Sequence, residues 1–244
     1  MPRIAEGVHR LGSDLVNFYL VEDAAGVTIV DAGLPRFYER LEAALSETGR
    51  AWGDIRALVL THAHADHVGF AERLRTEHAV PVHVHAEDAE MARTGKVPRG
   101  ERLPFAYLRF PAAYRLIGHM VRNGGAKRQR VGALTTFADG ETLDVPGRPR
   151  VIHCPGHSRG CVALHFESHG ALLAGDVLCS RNPLTGREGP QVPPAAFNVS
   201  SEQALASLSK LEPVEAAVVG FGHGDPWSGG VGAAVQRARA TGKT

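Results

Sequence analysis

Cysteine, long apolar runs and an excess of either charge are all scarce in this sequence. The three cysteines, Cys154, Cys161 and Cys179, are odd in number and show no paired spacing, which argues against a disulfide framework and favours small buried thiols. No apolar run approaches the roughly 20 residues of a membrane-spanning helix. Residues 1–6 lack the apolar core of a signal peptide, so we expect a cytoplasmic protein.

The charge balance and the length narrow the class of protein further. The chain has 27 basic and 26 acidic residues, a net charge of +1, whereas a dedicated nucleic-acid binder is strongly basic. With 244 residues, 43% of them apolar, it can bury a sizeable core as one domain. We expect a single domain over 1–244 that acts on a small molecule, and the sequence carries no signal for an oligomeric state.

The loop after one predicted strand is rich in side chains that can bind metal. The apolar run 57–60 predicts a buried strand, and His62, His64, Asp66 and His67 follow it. Imidazole and carboxylate bind zinc or iron where thiolate is absent. In an extended loop His62 and His64 point the same way and can share one ion. Asp66 and His67 can then face a second ion.

Three further strands each end in a candidate ligand beside glycine. These ligands are His157 in Pro-Gly-His-Ser, Asp176 in Gly-Asp and His223 in Gly-His-Gly. Glycine lets the backbone turn sharply and approach an ion closely. Together with the loop residues they make seven ligands, enough for two ions with three protein ligands each and one bridging group. A catalytic metal needs such an incomplete shell, with water in the open position.

The order of these motifs, His-x-His-x-Asp-His, Pro-Gly-His-Ser, Gly-Asp and Gly-His-Gly, resembles the metallo-β-lactamase superfamily. The resemblance extends from Ile4 to the last predicted helix. It implies an α/β (α+β) fold, the four-layer αββα metallo-β-lactamase sandwich, in which two mixed sheets face each other and helices lie outside.

The resemblance also implies a role for each ligand. It assigns the first ion to His62, His64 and His157. It assigns the second ion to Asp66, His67 and His223. Asp176 would bridge the two ions together with a hydroxide. Asp31, in Val-Asp-Ala-Gly, matches an aspartate that supports the ligand loop, although an Asx turn after a strand is an equally good interpretation.

The function that the resemblance implies is a metal-dependent hydrolase with two Zn²⁺ ions, iron or mixed metals being the alternative. The bridging hydroxide would cleave an ester, thioester, lactone or related bond, with Asp66 and Asp176 as catalytic residues. The ligand set is similar to those of glyoxalase II and of acyl-homoserine lactonases. Glyoxalase II-like enzymes carry a helical C-terminal extension for glutathione, and the chain ends 21 residues after His223, so a glutathione thioester is not expected.

Two alternatives to this function stay open. Residues 155–161 resemble the Pro-Gly-His-x-x-Gly-Cys segment of persulfide dioxygenases, where one iron would bind His62, His157 and Asp176. The Gly-Arg-x-Asp-Phe segment of that family is not reproduced at 186–190. The other alternative is a non-catalytic binding protein of the same fold, against which the complete ligand set argues.

Positive charge is concentrated in residues 91–131, which hold ten Lys or Arg against one acid, Glu101. The segment is amphipathic, and in the resembled family this region is where lids are inserted. We expect a basic helical insertion that is either a lid for an anionic, partly apolar substrate or a packed hairpin. Together with the proline-rich loop 179–197, it provides the candidate substrate-binding residues. These are Phe105, Tyr107, Arg109, Tyr114, Arg181 and Arg187.

Hydrophobic periodicity predicts the order of the elements. It predicts strands at 3–10, 15–22, 26–31, 57–60 and 81–85, near 134–137, 142–145, 150–153, 161–166 and 171–175, and at 216–220. It predicts helices at 35–48, 70–78, 87–92, 201–211 and 230–241. Prolines predict a stiffened loop at 179–197.

Overall fold

The first half of the chain builds a seven-stranded sheet whose strands lie in chain order. The computed structural model describes residues 1–244. The strands are β1 (Arg3–Ala5), β2 (Val8–Gly12), β3 (Asn17–Asp23), β4 (Gly26–Val30), β5 (Ile55–Val59), β6 (Val82–His85) and β7 (Thr135–Phe137). β1 to β4 form an antiparallel meander, whereas β4 to β7 pair in parallel.

Parallel neighbours need crossover connections, and helices supply them. The helices of this half are α1 (Tyr38–Thr48), α2 (Ala71–His78), α3 (Ala89–Thr94) and α4 (Pro111–Arg122). α1 connects β4 to β5, α2 connects β5 to β6, and α3 and α4 lie between β6 and β7. The parallel arrangement brings the carboxyl ends of β4, β5 and β6 to one edge of the sheet.

The second half forms a smaller sheet, a hairpin and two helices. Its elements are β8 (Arg150–His153), β9 (Val162–Phe166), β10 (Ala171–Leu173), β11 (Cys179–Arg181), β12 (Glu188–Gln191), α5 (Ser201–Ser207), β13 (Val218–Gly220) and α6 (Val231–Thr241). The sheet order is β13-β10-β9-β8, with β10 and β13 parallel, and β11 pairs only with β12. The parallel pair places the ends of β10 and β13 side by side.

Three hydrophobic cores divide the molecule into four layers. Side chains alternate along β3, so Phe18 packs towards the helices of the first half while Tyr19 faces the second sheet. Val59 and Leu164 belong to the core between the two sheets. On the outer face of the second sheet, Ala234 and its neighbours on α5 and α6 form the third core. The predicted αββα sandwich is confirmed.

Three predicted elements differ from the structure. The predicted strand 3–10 is two strands, because residues 6–7 turn and Gly7 adopts a left-handed φ of 66°. Residues 142–145 form no strand beyond a single bridge from Thr142 to Arg150, since the prolines that follow cannot donate ladder hydrogen bonds. The predicted loop 179–197 contains the β11–β12 hairpin, which pairs Cys179 with Gln191.

All three thiols, those of Cys154, Cys161 and Cys179, are buried and free. The expectation of small buried cysteines is confirmed.

None of the helices combines the length and the apolar character that crossing a bilayer requires.

Candidate metal centre

The seven side chains predicted to bind metal converge at one end of the sandwich. They come from the loops that follow β5, β8, β10 and β13. Their ligand atoms form three overlapping groups, each with all atoms within 4.8 Å of one another. The groups are His62, His64 and His157; His62, His67 and Asp176; and Asp66, His67 and His223.

The carboxylate of Asp176 lies between two of these clusters. Its Oδ2 is 3.1 Å from Nε2 of His223 and 3.4 Å from Nε2 of His157. Its Oδ1 is 3.6 Å from Nε2 of His67. On the far side of His223, Oδ2 of Asp66 is 3.5 Å from the same Nε2. One carboxylate therefore borders imidazoles from three different loops.

Two atoms at this centre are buried without a hydrogen-bond partner, Nε2 of His67 and Oδ1 of Asp176. Buried polar atoms are nearly always satisfied, so this facing pair indicates that a further ligand belongs there. The backbone leaves room for it, because a Cβ at Gly222 would overlap Asp176 Oδ1. Imidazole and carboxylate donors suit zinc or iron. The residues therefore fit a metal.

Hydrogen bonds on the far side of the rings fix three of the imidazoles. Each ring donates from Nδ1 to a different acceptor, so Nε2 faces the centre and can bind an ion once it carries no proton. His67 donates to Asp31 Oδ2 at 2.8 Å, His157 to Asn198 Oδ1 at 3.0 Å, and His223 to the Leu15 carbonyl at 2.5 Å. The orientation of the three rings is thus set before any ion binds.

Asp31 is placed under the ligand loop. Its carboxylate accepts from the backbone N–H and the hydroxyl of Thr61, both at 2.8 Å, in addition to His67. Asp31 is non-glycine with a left-handed φ of 63°, a conformation that surrounding contacts must hold. Its N–H donates to the Val59 carbonyl at 3.0 Å. The side-chain contacts of Asp31 are thus with the ligand loop, at Thr61 and His67, and not with its own neighbours in sequence.

Sequence reasoning missed Asp88, which connects two ligand loops. Its buried carboxylate accepts from the Ala63 N–H at 3.1 Å, from the Ser158 hydroxyl at 2.7 Å and from the Gly160 N–H at 2.7 Å. Ala63 lies in the first histidine loop, and Ser158 follows His157. The signal that could have found it is its position just past the carboxyl end of β6, the same edge rule that indicated the ligands.

Burial and neighbouring charges separate the pKa values of the imidazoles. Burial, aided by nearby histidines, lowers the pKa of His62 and His64 well below 6.5, so both rings stay neutral. Burial also acts against the charge of His67, but Asp31 and Asp176 outweigh it and raise its pKa to about 10. In the same way Asp176 raises the pKa of His223 to about 9.

The pKa of Asp176 moves the other way. Burial alone would raise it, but the charges of His223 and His67 hold it well below its usual range. Without an ion, two imidazolium rings therefore supply the positive charge that surrounds this carboxylate.

A cavity of about 370 Å³ opens onto the centre. His64 and Asp66 contribute to its floor, and α4 contributes Leu116 and Ile117 to its wall. Leu184, from the segment after Asp176, also lines it. The basic segment 91–131 contains the helix α4, which borders the cavity, and the rest of the segment is mostly loops and turns.

The three aromatic candidates for substrate binding do not line this cavity. Phe105 and Tyr114 are 75% and 59% exposed. Tyr107 is buried against Leu184, and its hydroxyl donates to the Thr244 carbonyl at 3.3 Å. Tyr107 therefore belongs to the packed part of the segment 91–131, whereas α4 of the same segment lines the cavity.

The three arginine candidates also lie away from the cavity. Arg109 is exposed with its guanidinium 4.9 Å from the Phe110 ring centre. Arg181 pairs with Glu188 at 2.9 Å. Arg187 is exposed and donates to a threonine hydroxyl on α6 at 3.4 Å.

The chain is similar to proteins of one family by sequence and by structure. The model of the metallo-beta-lactamase superfamily matches residues 11–223. The probable metallo-hydrolase YflN of Bacillus subtilis is 27% identical over 237 residues, which span 92% of this chain and 86% of that protein. A hydroxyacylglutathione hydrolase of Alkalilimnicola ehrlichii is 32% identical over 76% of this chain but only 52% of its own length.

A solved structure and a further sequence relative agree with this family relationship. A metallo-beta-lactamase family protein from Thermus thermophilus superimposes with a TM-score of 0.69 at 28% identity, covering 98% of this chain and 79% of that protein. The acyl-coenzyme A thioesterase MBLAC2 of Bos taurus is 28% identical over 66% of this chain and 58% of its own length. The chain belongs to the metallo-β-lactamase superfamily and is an enzyme of its metallo-hydrolase type.

Proposed function

We propose that the protein hydrolyses an ester, thioester or lactone at a dinuclear metal centre, with zinc as the metal. The observation that carries the proposal is the facing pair of unsatisfied buried atoms, His67 Nε2 and Asp176 Oδ1, within a cluster of imidazoles and carboxylates. When bound, two divalent ions supply a water of lowered pKa and polarise the carbonyl of the substrate.

The three overlapping groups support the proposed ligand assignment. Three imidazoles would bind one ion, those of His62, His64 and His157. One carboxylate and two imidazoles would bind the other, those of Asp66, His67 and His223. Asp176 is shared, since its two oxygens approach imidazoles of both sets. The three supported rings need no reorganisation on binding, because Asp31, Asn198 and the Leu15 carbonyl already hold their Nδ1 atoms.

We assign the proton transfer to a side chain at the cavity floor. Asp66, whose side chain is 16% exposed, borders the cavity and can receive a proton there and pass it to the leaving group. The side chains of α4 that line the cavity are apolar, so they offer bulk water no hydrogen bonds beside the centre. The reaction adds water across the acyl C–O or C–S bond, so the products are an acid and an alcohol or thiol. No oxidant or reductant takes part.

The test combines metal analysis with a panel of chromogenic substrates. Protein purified without added metal should contain close to two equivalents of zinc. Esters, thioesters, lactones and phosphodiesters should be offered in parallel, with activity expected on at least one carboxylic acid derivative. A single iron, or oxygen consumption with a persulfide in place of hydrolysis, would overturn the assignment.

A further inference from the structure

The cavity over the proposed centre is apolar apart from the proposed ligands. Its other lining side chains are valine, proline, leucine, alanine, isoleucine, methionine and phenylalanine, with no lysine, arginine, serine, threonine or asparagine. A polar group in this space would lose its hydrogen bonds to water and gain none from the walls. The part of the substrate that lies here is therefore apolar.

Some of the apolar surface that lines the cavity has no protein partner. Val97, Ile117 and Val121 line it, yet they are 51%, 48% and 61% exposed. Apolar surface left in water is unfavourable, and an apolar ligand removes it at roughly 25 cal/mol per Å². These three side chains provide binding energy for a hydrocarbon chain.

The cavity wall is held in place by packing. Leu116 of α4 is buried in a small apolar cluster with Leu184 and Ala196, which belong to the segment after Asp176. All three side chains also line the cavity. The cluster anchors α4 to the segment opposite, so the cavity exists before a ligand enters.

Lysine and arginine side chains lie outside this cavity. Lys96 and Arg99 flank the lining residues Val97 and Pro98 in sequence, and both are exposed. Basic side chains beside an apolar cavity suit a substrate whose second half is polar or anionic.

We propose that the cavity binds the acyl chain of the substrate, which makes the substrate an ester or thioester of an apolar carboxylic acid. The polar or anionic leaving group then lies on the side of Lys96 and Arg99. The proposal rests on the function proposed above and specifies its substrate class. Hydrolysis leaves the acyl chain on the acid, and the alcohol or thiol takes the proton.

A chain-length series tests the proposal on the metal-loaded enzyme. p-Nitrophenyl acetate, butyrate, hexanoate and octanoate share one leaving group. Burying each added methylene should raise kcat/KM by about fourfold until the cavity is full. A reciprocal series, acetate esters of alcohols from ethanol to octanol, should be nearly flat. Straight-chain alcohols should inhibit more strongly as they lengthen, which reports on the cavity without turnover.

A matched pair of variants connects the effect to the cavity. Ile117→Asp places a charge in the cavity wall and should lower kcat/KM for octanoate at least about tenfold more than for acetate. Leu103→Asp makes the same kind of change at a residue of similar exposure, 50% against 48%, that does not line the cavity. It should keep the wild-type chain-length profile.

The outcomes separate the two proposals. Hydrolysis with no dependence on acyl length, or with dependence only on the alcohol half, overturns the acyl-chain assignment and leaves the hydrolase standing. An equal effect of the two variants also overturns it. Failure to hydrolyse any ester, thioester or lactone, with two metals bound, overturns the proposed function itself.

Discussion

The hydroxyl of Ser158 donates a 2.7 Å hydrogen bond to the carboxylate of Asp88, and both side chains are buried. The same carboxylate accepts from the N–H of Ala63, which lies between His62 and His64. Asp88 thus fixes the first histidine loop against the loop of His157. Neither contact is local, since 25 and 70 residues separate the partners.

Asp88→Asn should therefore weaken the centre without removing a proposed ligand. An amide keeps the shape but gives up the charged acceptor, which costs roughly 1–3 kcal/mol of unfolding free energy and about 10- to 100-fold in metal affinity or kcat. Ser158→Ala removes only one of the three bonds and should have a smaller effect. Metal titration and kcat measure this, and wild-type metal affinity in Asp88→Asn would contradict the positioning role.

Asp176→Ala should reduce activity far more than it disturbs the fold, because it removes the carboxylate shared between the two ligand sets. The expected loss in kcat is about 100-fold or more. Asp144→Ala, at a carboxylate whose side chain is 96% exposed, is the control and should behave as wild type. Circular dichroism checks the fold. If Asp176→Ala keeps its metals and its rate, the bridge has been assigned to the wrong residue.

The metal-free protein should be most stable near pH 6.5. The pKa values of His67 and His223 are raised to about 10 and about 9, so the stability they contribute is complete below pH 6.5 and lost as the pH rises through those values. The pKa values of His62 and His64 are lowered by burial, so below pH 6.5 the unfolded chain binds protons that these folded rings do not. The folded protein therefore loses stability as the pH falls below 6.5.

Urea unfolding after dialysis against a chelator, from pH 5 to pH 10, measures this profile. Zinc binding displaces the protons of His67 and His223, so the metal-loaded protein should keep its stability on the alkaline side. A metal-free protein that gains stability between pH 7 and pH 10 would contradict the charge state assigned to these two rings.

The three thiols should be unreactive in the folded protein. Burial raises the pKa of Cys154 to about 12, and it raises the pKa values of Cys161 and Cys179 well above 9. Since the thiolate is the reactive form, a disulfide reagent at pH 8 should label none of them within minutes. The same reagent in guanidinium should label all three. Rapid labelling of the native protein would show that one of these side chains is accessible.

Lys96 and Arg99, which flank the cavity-lining residues Val97 and Pro98 in sequence, should act on substrate capture. Lys96→Gln with Arg99→Gln should raise KM for thioesters with an anionic leaving group several-fold at low salt, and leave neutral esters nearly unchanged. Salt should weaken the wild-type preference, because exposed charges are screened over about 8 Å at physiological ionic strength. Arg148→Gln with Arg150→Gln, near the amino end of β8, removes the same charge as a control. Equal effects of the two pairs would exclude a specific role for Lys96 and Arg99.

The residues of the candidate centre could be predicted from the sequence because each lies in a short, recognisable local pattern. His62 and His64 share an extended loop, and each remaining candidate follows an apolar strand beside glycine. Since parallel strands end at one edge of a sheet, these positions lie together once the sheets form. The αββα sandwich was likewise indicated by the motif order, and its strands mostly by a period of two.

Only the tertiary structure decided how the centre is supported and what covers it. Asp88 and the Leu15 carbonyl reach the centre across 25 to 208 residues of chain, and no local pattern specifies such a contact. The basic segment shows the same limit. Its composition drew attention to aromatic and arginine side chains, but helix packing turned Leu116 and Ile117 towards the cavity and left Phe105 outside. Which face of an amphipathic helix meets a site depends on the partner it packs against, and the sequence of the helix does not contain that partner.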